Sequence, residues 1–455
     1  MKINVAEVIS NSKFNRFHFM LIAWCFLIIL FDGYDLVVYG TVVSGLMNDW
    51  GIDSVQAGLI GSYGLFGMTF GAIVLGILAD RLGRKNVTAI ALVLFSLFTF
   101  LCGFANDPTT FSIFRFLAGI GLGGIMPNVI ALLTDYSPKK IRSMVVSIVL
   151  CGYSVGGMLA PILGIVLMPD FGWEAIFYVA AIPLLLLPVI YKQLPESAVY
   201  LAKKNRKEEL FKILKKVDPN FTYSENDEIM HLPTGESKVP VIDLFKEKRG
   251  LSTVMFWVAF FSCLLMVYGL NTWLPKLMIE AGYGLTSSLS FLVTLQGGAI
   301  VGTLIIARLC DKFGSKKMLV PMYASGAIAL TLLGFGGSTF YIYILVAIAG
   351  AATIGAQNIV QAYVSQYYPP FIRSTALGMA SGIGRFGGMM GPILGGFLLG
   401  AGLSMELNFL AFAIPGLIAA IALSLVPEKR SYIYNASSNS KQKYKENNIS
   451  EIVDH

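Results

Sequence analysis

Charge is what this chain has least of. Asp, Glu, Lys and Arg make up 13% of its 455 residues and hydrophobic residues 55%, against roughly 25% charged in an ordinary soluble domain. That balance excludes a water-soluble globule. Histidine is scarcer still, and His18, His231 and His455 all fall outside the expected hydrocarbon region. No imidazole can then relay protons at its centre, so any proton carrier there must be a carboxylate. Cys25, Cys102, Cys151, Cys263 and Cys310 show no close pair and no metal-ligand spacing. A disulfide framework and a zinc site are excluded, and the cysteines read as small apolar packers. No paired nucleophile and base, metal cluster or cofactor loop appears either, so neither an enzyme nor a bound cofactor or metal is expected.

What the chain has is apolar length. Stretches of about 20 residues, each able to cross a hydrocarbon core of roughly 30 Å as a helix, recur near 19–41, 54–77, 86–104, 109–133, 143–168, 172–192, 251–274, 286–308, 316–335, 339–363, 373–399 and 404–426. The expected fold class is an all-α integral membrane protein with twelve transmembrane helices. Lys and Arg gather at alternate connections: Lys13 and Arg16, then Arg81, Arg84 and Lys85, then Lys139, Lys140 and Arg142. The pattern continues through the Lys-rich 203–249 segment, Lys312, Lys316, Lys317, Arg373, Lys429 and Arg430, and only Lys276 breaks it. Basic residues are retained on the cytoplasmic side, so both termini are expected there. The net charge of +7 then reads as membrane topology, with the lipid bilayer and no nucleic acid as partner. The first apolar run is too long for a cleaved signal and no small-residue cleavage site follows it.

The chain is written twice. At an offset of 231 residues, Asp80, Gly83 and Lys85 meet Asp311, Gly314 and Lys316; Tyr136, Pro138, Arg142 and Ser143 meet Tyr367, Pro369, Arg373 and Ser374; Gly156, Gly157, Pro161 and Gly164 meet Gly387, Gly388, Pro392 and Gly395. Two pseudo-symmetric six-helix halves are expected at 1–192 and 251–430, joined by a cytoplasmic linker at 193–250 that is partly helical around Lys203 to Lys216. A disordered tail is expected at 431–455. Parallel halves of this kind suit a transporter that rocks one half against the other around a central site.

Asp32 and Asp35 stand in an otherwise uncharged run from Phe17 to Val43. A carboxylate at bilayer depth costs roughly 2.5–3.5 kcal/mol on insertion scales, so it signals function and needs a partner or a proton. Three residues apart, the two share one helix face. Counting about 1.5 Å per residue puts Arg115 at nearly the depth of Asp35, where an ion pair is available, and sets Arg385 near the midplane with Asp32. A guanidinium binds a carboxylate through a planar two-pronged hydrogen bond, so Arg385 is the candidate receptor for an acidic substrate. Burial favours a neutral acid and a neighbouring guanidinium favours the carboxylate, so movement of Arg115 relative to Asp35 would load and unload a proton. Tyr268, Gln296 and Asn358 are candidates to line the cavity. Each serves equally well as a plain interhelical hydrogen-bonding residue.

The segment Gly76-Ile-Leu-Ala-Asp80-Arg81-Leu-Gly83-Arg84-Lys85 resembles the loop motif between helices 2 and 3 of the major facilitator superfamily. A degraded copy runs from Arg308 to Lys317, with Ala307 in place of the first Gly and Ser315 in place of Arg. Arg115 with Gly119, Gly121, Gly123 and Gly124, the segment Gly152 to Gly164, and Pro195-Glu196-Ser197 resemble further motifs of that superfamily, and the likeness covers nearly all of 17–430. Within it, Asp32-Gly33-Tyr34-Asp35 is similar to the signature of the aromatic acid:proton symporters. Met126-Pro127-Asn128 and Asn271-Thr272-Trp273-Leu274-Pro275 add to that likeness. The resemblance implies import of benzoate, hydroxybenzoates or related aryl acids, with a proton as coupling ion. It adds Tyr34 to the substrate-binding candidates and implies a monomer in the bacterial inner membrane. Gly76, Asp80, Arg81, Gly83, Arg84, Lys85 and Asp311 would serve conformational gating, Asp80 accepting backbone hydrogen bonds at a helix N-terminus while the basic residues find acidic partners.

Simpler readings stand beside these. Asp35 and Arg115 form a fixed structural pair, Arg385 bonds a neighbouring helix's carbonyls, and the glycine segments serve close helix packing. Rival functions are a symporter of aliphatic organic acids or sugars, a drug exporter, and a sensor that binds ligand without moving it.

Overall fold

The computed structural model describes residues 2–223, 228–229 and 241–432. The expected tail falls almost wholly outside the described residues, as does the middle of the expected linker. Among the described residues, seventeen α-helices follow one another. A short α1 (Val5–Asn11) leads into the long helices α2 (Arg16–Trp50), α3 (Ser54–Leu82), α4 (Arg84–Cys102), α5 (Pro108–Tyr136) and α6 (Arg142–Phe171). Next come α7 (Glu174–Tyr178), α8 (Ala181–Gln193), α9 (Ala198–Lys203) and α10 (Lys207–Val217). The second series is α11 (Gly250–Glu280), α12 (Leu285–Phe313), α13 (Ser315–Gly334), α14 (Thr339–Gly350), α15 (Ala356–Tyr367), α16 (Arg373–Gly400) and α17 (Met405–Ser424), with a π-turn at Ala351–Gly355 joining α14 to α15. Strand β1 (Lys2–Ile3) pairs in parallel with β2 (Glu228–Ile229), in register Lys2 to Glu228.

The helix boundaries have local causes. Asn15 accepts hydrogen bonds from Phe17 N and His18 N, and His18 Nδ1 lies 3.2 Å from Asn15 N, a reciprocal capping box that starts α2. Its far end is Gly51 at φ 60°, the left-handed position that stops a helix, so the helix continues well past the polar Ser44, Asn48 and Asp49. Asp53 caps α3 through Gln56 N at 2.7 Å, and Asp107 caps α5 through Thr109 N and Thr110 N, both at 2.9 Å, with Pro108 at the first helical position.

Among the described residues, eleven helical segments are long and apolar enough to cross a membrane. The twelfth expected span is α16, 28 residues long, whose many glycines and Arg385 dilute its apolar character. The surface agrees with lipid as solvent. Phe70, Ile73, Val74 and Ile77 of α3 are each more than half exposed, an apolar stripe that a water-facing helix would not carry.

The repeat extends to element ends and to individual hydrogen bonds. The starts of α12, α13, α14, α16 and α17 fall 231 residues after those of α3, α4, α5, α6 and α7. Tyr136 donates its hydroxyl to the carbonyl of Glu196, and Tyr367 donates to the carbonyl of Pro427 at 3.0 Å, the same pair shifted by that offset. Gly83 and Gly314 both adopt positive φ, 92° and 94°. Gly156 lies on the carbonyl of Leu30 and Gly387 on that of Phe261, where a Cβ would come within 1.7 and 2.1 Å.

The chain divides into two compact units. The first comprises Met1–Gly235, Asn271–Gly297 and Pro392–Leu403. Within it α3 packs on α5, α2 on α6 and α4 on α5, Trp273 Nε1 donates to the carbonyl of Pro392 at 2.8 Å, and Asn15 Nδ2 donates to the carbonyls of Lys216 and Val217 at the end of α10. The second comprises Glu236–Leu270, Gly298–Gly391 and Ser404–His455, and in it α13 packs on α17 and α14.

Candidate functional site

In the first unit, Asp35 of α2 and Arg115 of α5 meet. Arg115 Nη1 donates to both carboxylate oxygens of Asp35 at 3.1 Å, and Nη2 reaches the backbone carbonyl of Asp35 at 3.5 Å. Thr99 of α4 donates its hydroxyl to Asp35 Oδ1, and Gly64 of α3 leaves room for the guanidinium, since a Cβ there would stand 3.2 Å from Nη2. Four helices thus converge on one ion pair. Asp35 is 1% exposed and Arg115 4%. Removing two charges from water costs about as much as their attraction returns, so such a pair is weak evidence for stability by itself.

Asp32 lies three residues earlier on α2 and is equally buried. Tyr34 is fully buried and donates its hydroxyl to the carbonyl of Ile176 at 2.7 Å, so its hydroxyl is engaged with α7. Gln296, also fully buried, donates Nε2 to Asn271 Oδ1 at 2.8 Å, within the same unit. The second unit holds the remaining substrate candidates. Arg385 is half-buried on α16, Tyr268 of α11 lies half-buried with its ring over Gly388, one turn beyond Arg385, and Asn358 is exposed on α15.

The repeat separates duplicated positions from single ones. At the offset of 231, Asp32, Asp35 and Arg115 correspond to Cys263, Met266 and Val346, and Arg385 to Ser154. Gly83, Gly156, Gly157, Gly164 and Tyr136 recur in the second half, whereas Asp32, Asp35, Arg115 and Arg385 do not, and neither do Tyr34, Tyr268, Gln296 and Asn358. Symmetric packing does not require them.

At the other end of the first unit, the loop motif is built into a polar cluster. Arg84 Nη1 pairs with Asp135 Oδ2 at 3.0 Å, and Ser197 Oγ donates to that same oxygen at 2.6 Å. Glu196, 4% exposed, accepts hydrogen bonds from Lys85 N at 3.1 Å and Ser197 N at 2.8 Å. Its carboxylate caps α4, whose own N-cap Gly83 offers no side chain. The carboxylate sits where a Cβ on Gly83 would be, 2.2 Å from Oε2. Lys85 Nζ lies 4.5 Å over the Tyr191 ring, and the Arg81 carbonyl accepts from the Tyr200 hydroxyl at 3.2 Å. Gly76 is half-buried with open space at its Cα, and Asp80 is exposed. Glu196 thus serves the N-terminus of α4. The backbone of Asp311 is helical, and its side chain lies outside what is described.

Sequence reasoning missed Thr99, an unremarked hydroxyl in an apolar run, and did not pair Asn271 with Gln296. The acidic partners Asp135 and Glu196 were visible as residues, but only the fold brings them to the loop motif.

A family model described as Major Facilitator Superfamily matches residues 25–297 and 287–451. The chain belongs to the major facilitator superfamily. It is 46% identical over 439 residues to the benzoate transport protein of Acinetobacter baylyi, covering 95% of this chain and 94% of that protein. It is 37% identical over 411 residues to the gentisate transporter of Corynebacterium glutamicum, covering 90% and 86%. Among solved structures it is similar to a partially occluded inward-open conformation of the xylose transporter XylE from E. coli, with TM-score 0.72 at 18% identity over 91% of this chain and 98% of that one. That last likeness shows the fold alone. The chain is therefore a multi-pass membrane transporter and not an enzyme, and the resemblance to aromatic-acid transporters drawn from Asp32 to Asp35 is matched by these relatives.

Proposed function

We propose that this protein is a proton-coupled symporter that imports small aromatic carboxylates, benzoate or a hydroxybenzoate first among them, by alternating access. The observation that carries the reading is the buried Asp35–Arg115 pair with Asp32 one turn away. In this reading one or both aspartates carry the proton. Arg115 competes with that proton for Asp35, so a change in their separation switches the carboxyl between loaded and unloaded. Arg385 receives the substrate carboxylate, and aliphatic and aromatic walls receive the ring.

Coupling has a physical reason. An inside-negative potential opposes entry of a monoanion by about 2.3 kcal/mol per 100 mV, and one co-transported proton cancels that opposition. The proton is the only coupling ion proposed, and no cofactor is needed. We place the protein in the bacterial cytoplasmic membrane with both termini inside, because Lys and Arg gather at alternate connections along the sequence and, in the first unit, Lys139 N donates to the carbonyl of Ser10 on α1 at 3.2 Å. A monomer suffices, since every proposed charge lies in one chain.

The test is uptake of labelled benzoate into proteoliposomes under an imposed pH gradient, acid outside. Hydroxybenzoates, aliphatic acids and hexoses serve as competitors. Accumulation that collapses with the gradient and is competed by aryl acids alone supports the reading. Competition by hexoses or aliphatic acids with none by aryl acids overturns the substrate, and accumulation indifferent to the gradient overturns the coupling.

A further inference from the structure

The Asp35–Arg115 pair carries a cover of aromatic rings on one side. Tyr39 lies one helical turn beyond Asp35 on α2, and Phe111 one turn before Arg115 on α5, so both stand on the same side of the pair, toward the α2–α3 connection. Their ring centroids are 6.3 Å apart. Tyr39 is pinned by its hydroxyl, which donates to the carbonyl of Ala57. Behind Phe111 stand Trp50 at 5.4 Å, Phe177 at 5.4 Å and Trp173 at 6.2 Å, all edge-on. Trp173 is fixed in turn, its Nε1 donating to Asp49 Oδ2 at 2.7 Å. Phe111 and Phe177 are wholly buried and Tyr39 is 2% exposed. Phe111 meets Trp50, Trp173 and Phe177 edge to face, an arrangement aromatic rings favour, and the Tyr39 ring lies tilted against it.

We infer that Tyr39 and Phe111, backed by Trp50, Trp173 and Phe177, are an aromatic seal that closes the ion pair to water from the α2–α3 end, leaving Asp35 to exchange protons from the side of Asp32. The rings touch no proton themselves. They are positioning residues that act through Asp35 by setting the direction from which it is reached. A carboxyl open to both aqueous phases at once would pass protons without substrate, and a symporter must prevent that. This inference rests on the reading of Asp35 as a proton carrier, but the seal itself can be observed separately.

Cys102 supplies the independent readout. It is fully buried at the end of α4, one turn beyond Thr99, and within electrostatic reach of both Asp35 and Arg115. In right-side-out vesicles the full-length protein is treated with a membrane-impermeant trimethylammonium methanethiosulfonate, and the peptide carrying Cys102 is quantified by mass spectrometry. In parallel, substrate-free proton flux is measured in proteoliposomes. The wild type is expected to protect Cys102. Phe111→Ala should expose it severalfold and add a proton leak that vanishes when Asp35→Asn is combined with it, while Phe111→Leu, which keeps apolar bulk, should restore protection. Trp50→Ala, at the rim of the cluster, provides a second opening should Phe111→Ala fail to fold. Continued protection of Cys102 in both alanine variants overturns the seal, as does a leak that persists with Asp35→Asn. Exposure of Cys102 with no leak supports the seal and overturns Asp35 as the carrier.

Discussion

Replacing Arg115 with leucine would remove the guanidinium that holds both oxygens of Asp35. The Thr99 hydroxyl would remain as donor, but one neutral bond does not replace a charge, and at 1% exposure Asp35 has no water at hand. Breaking a buried pair costs about 3–5 kcal/mol while the carboxylate stays ionised, and less at a pH low enough for Asp35 to take up the proton that Arg115 otherwise displaces. Asp35→Leu strands the guanidinium in the same way, so independent effects would sum to about 6–10 kcal/mol. The double replacement leaves no charge behind, and exchange of a buried pair for apolar side chains is typically neutral or stabilising by about 1–4 kcal/mol. The expected pattern is therefore two unstable single variants and a double variant close to wild type in stability that transports nothing uphill. Unfolding in mixed detergent micelles, followed across a titration of denaturing detergent, measures all four proteins. A double variant as unstable as the sum of the singles would refute the argument, because the two charges would then be shown not to compensate one another.

Three further outcomes follow from the same geometry. Asp32→Asn should keep substrate counterflow but lose accumulation driven by a pH gradient, and wild-type uphill uptake in that variant would remove Asp32 from the coupling scheme. Arg385→Ala should weaken binding of aryl carboxylates far more than of the matching uncharged amides; an equal loss for both would show that Arg385 does not hold the carboxylate. Gly83→Ala should destabilise the protein by about 1–3 kcal/mol, the cost of an L side chain at φ 92°, ψ 156°, a conformation essentially reserved for glycine, with the contact against Glu196 adding to it; a melting curve identical to wild type would show that the turn relaxes freely.

Much of the architecture can be read in the residues because lipid imposes a simple rule. A segment that crosses hydrocarbon must satisfy its backbone internally and carry an apolar exterior, so the long runs announce themselves, and the repeated Gly, Pro and Arg positions announce the duplication. Helix ends were less legible. The first run loses its apolar character near Val43, yet α2 continues to Trp50, because Asp49 finds the Trp173 indole and the left-handed stop is Gly51. The ion pair was accessible from depth alone, since α2 and α5 run in opposite directions and bring Asp35 and Arg115 to one level. Which helix supplies the third partner was not, because Thr99 differs in no local way from other hydroxyls in apolar runs. The hydrogen bond from the Tyr34 hydroxyl to the carbonyl of Ile176 was likewise beyond the sequence, because it depends on how α7 packs beside α2.

The Glu196 cap has a consequence for biogenesis. The amide of Lys85 that it satisfies lies 111 residues upstream, so a nascent chain emerging from the ribosome exposes the start of its third long helix well before the carboxylate that completes it has been synthesised. The hairpin of α3 and α4 therefore enters the bilayer with an open amide terminus and is finished only when the segment between α8 and α9 emerges, which ties maturation of the early hairpin to synthesis of that connection.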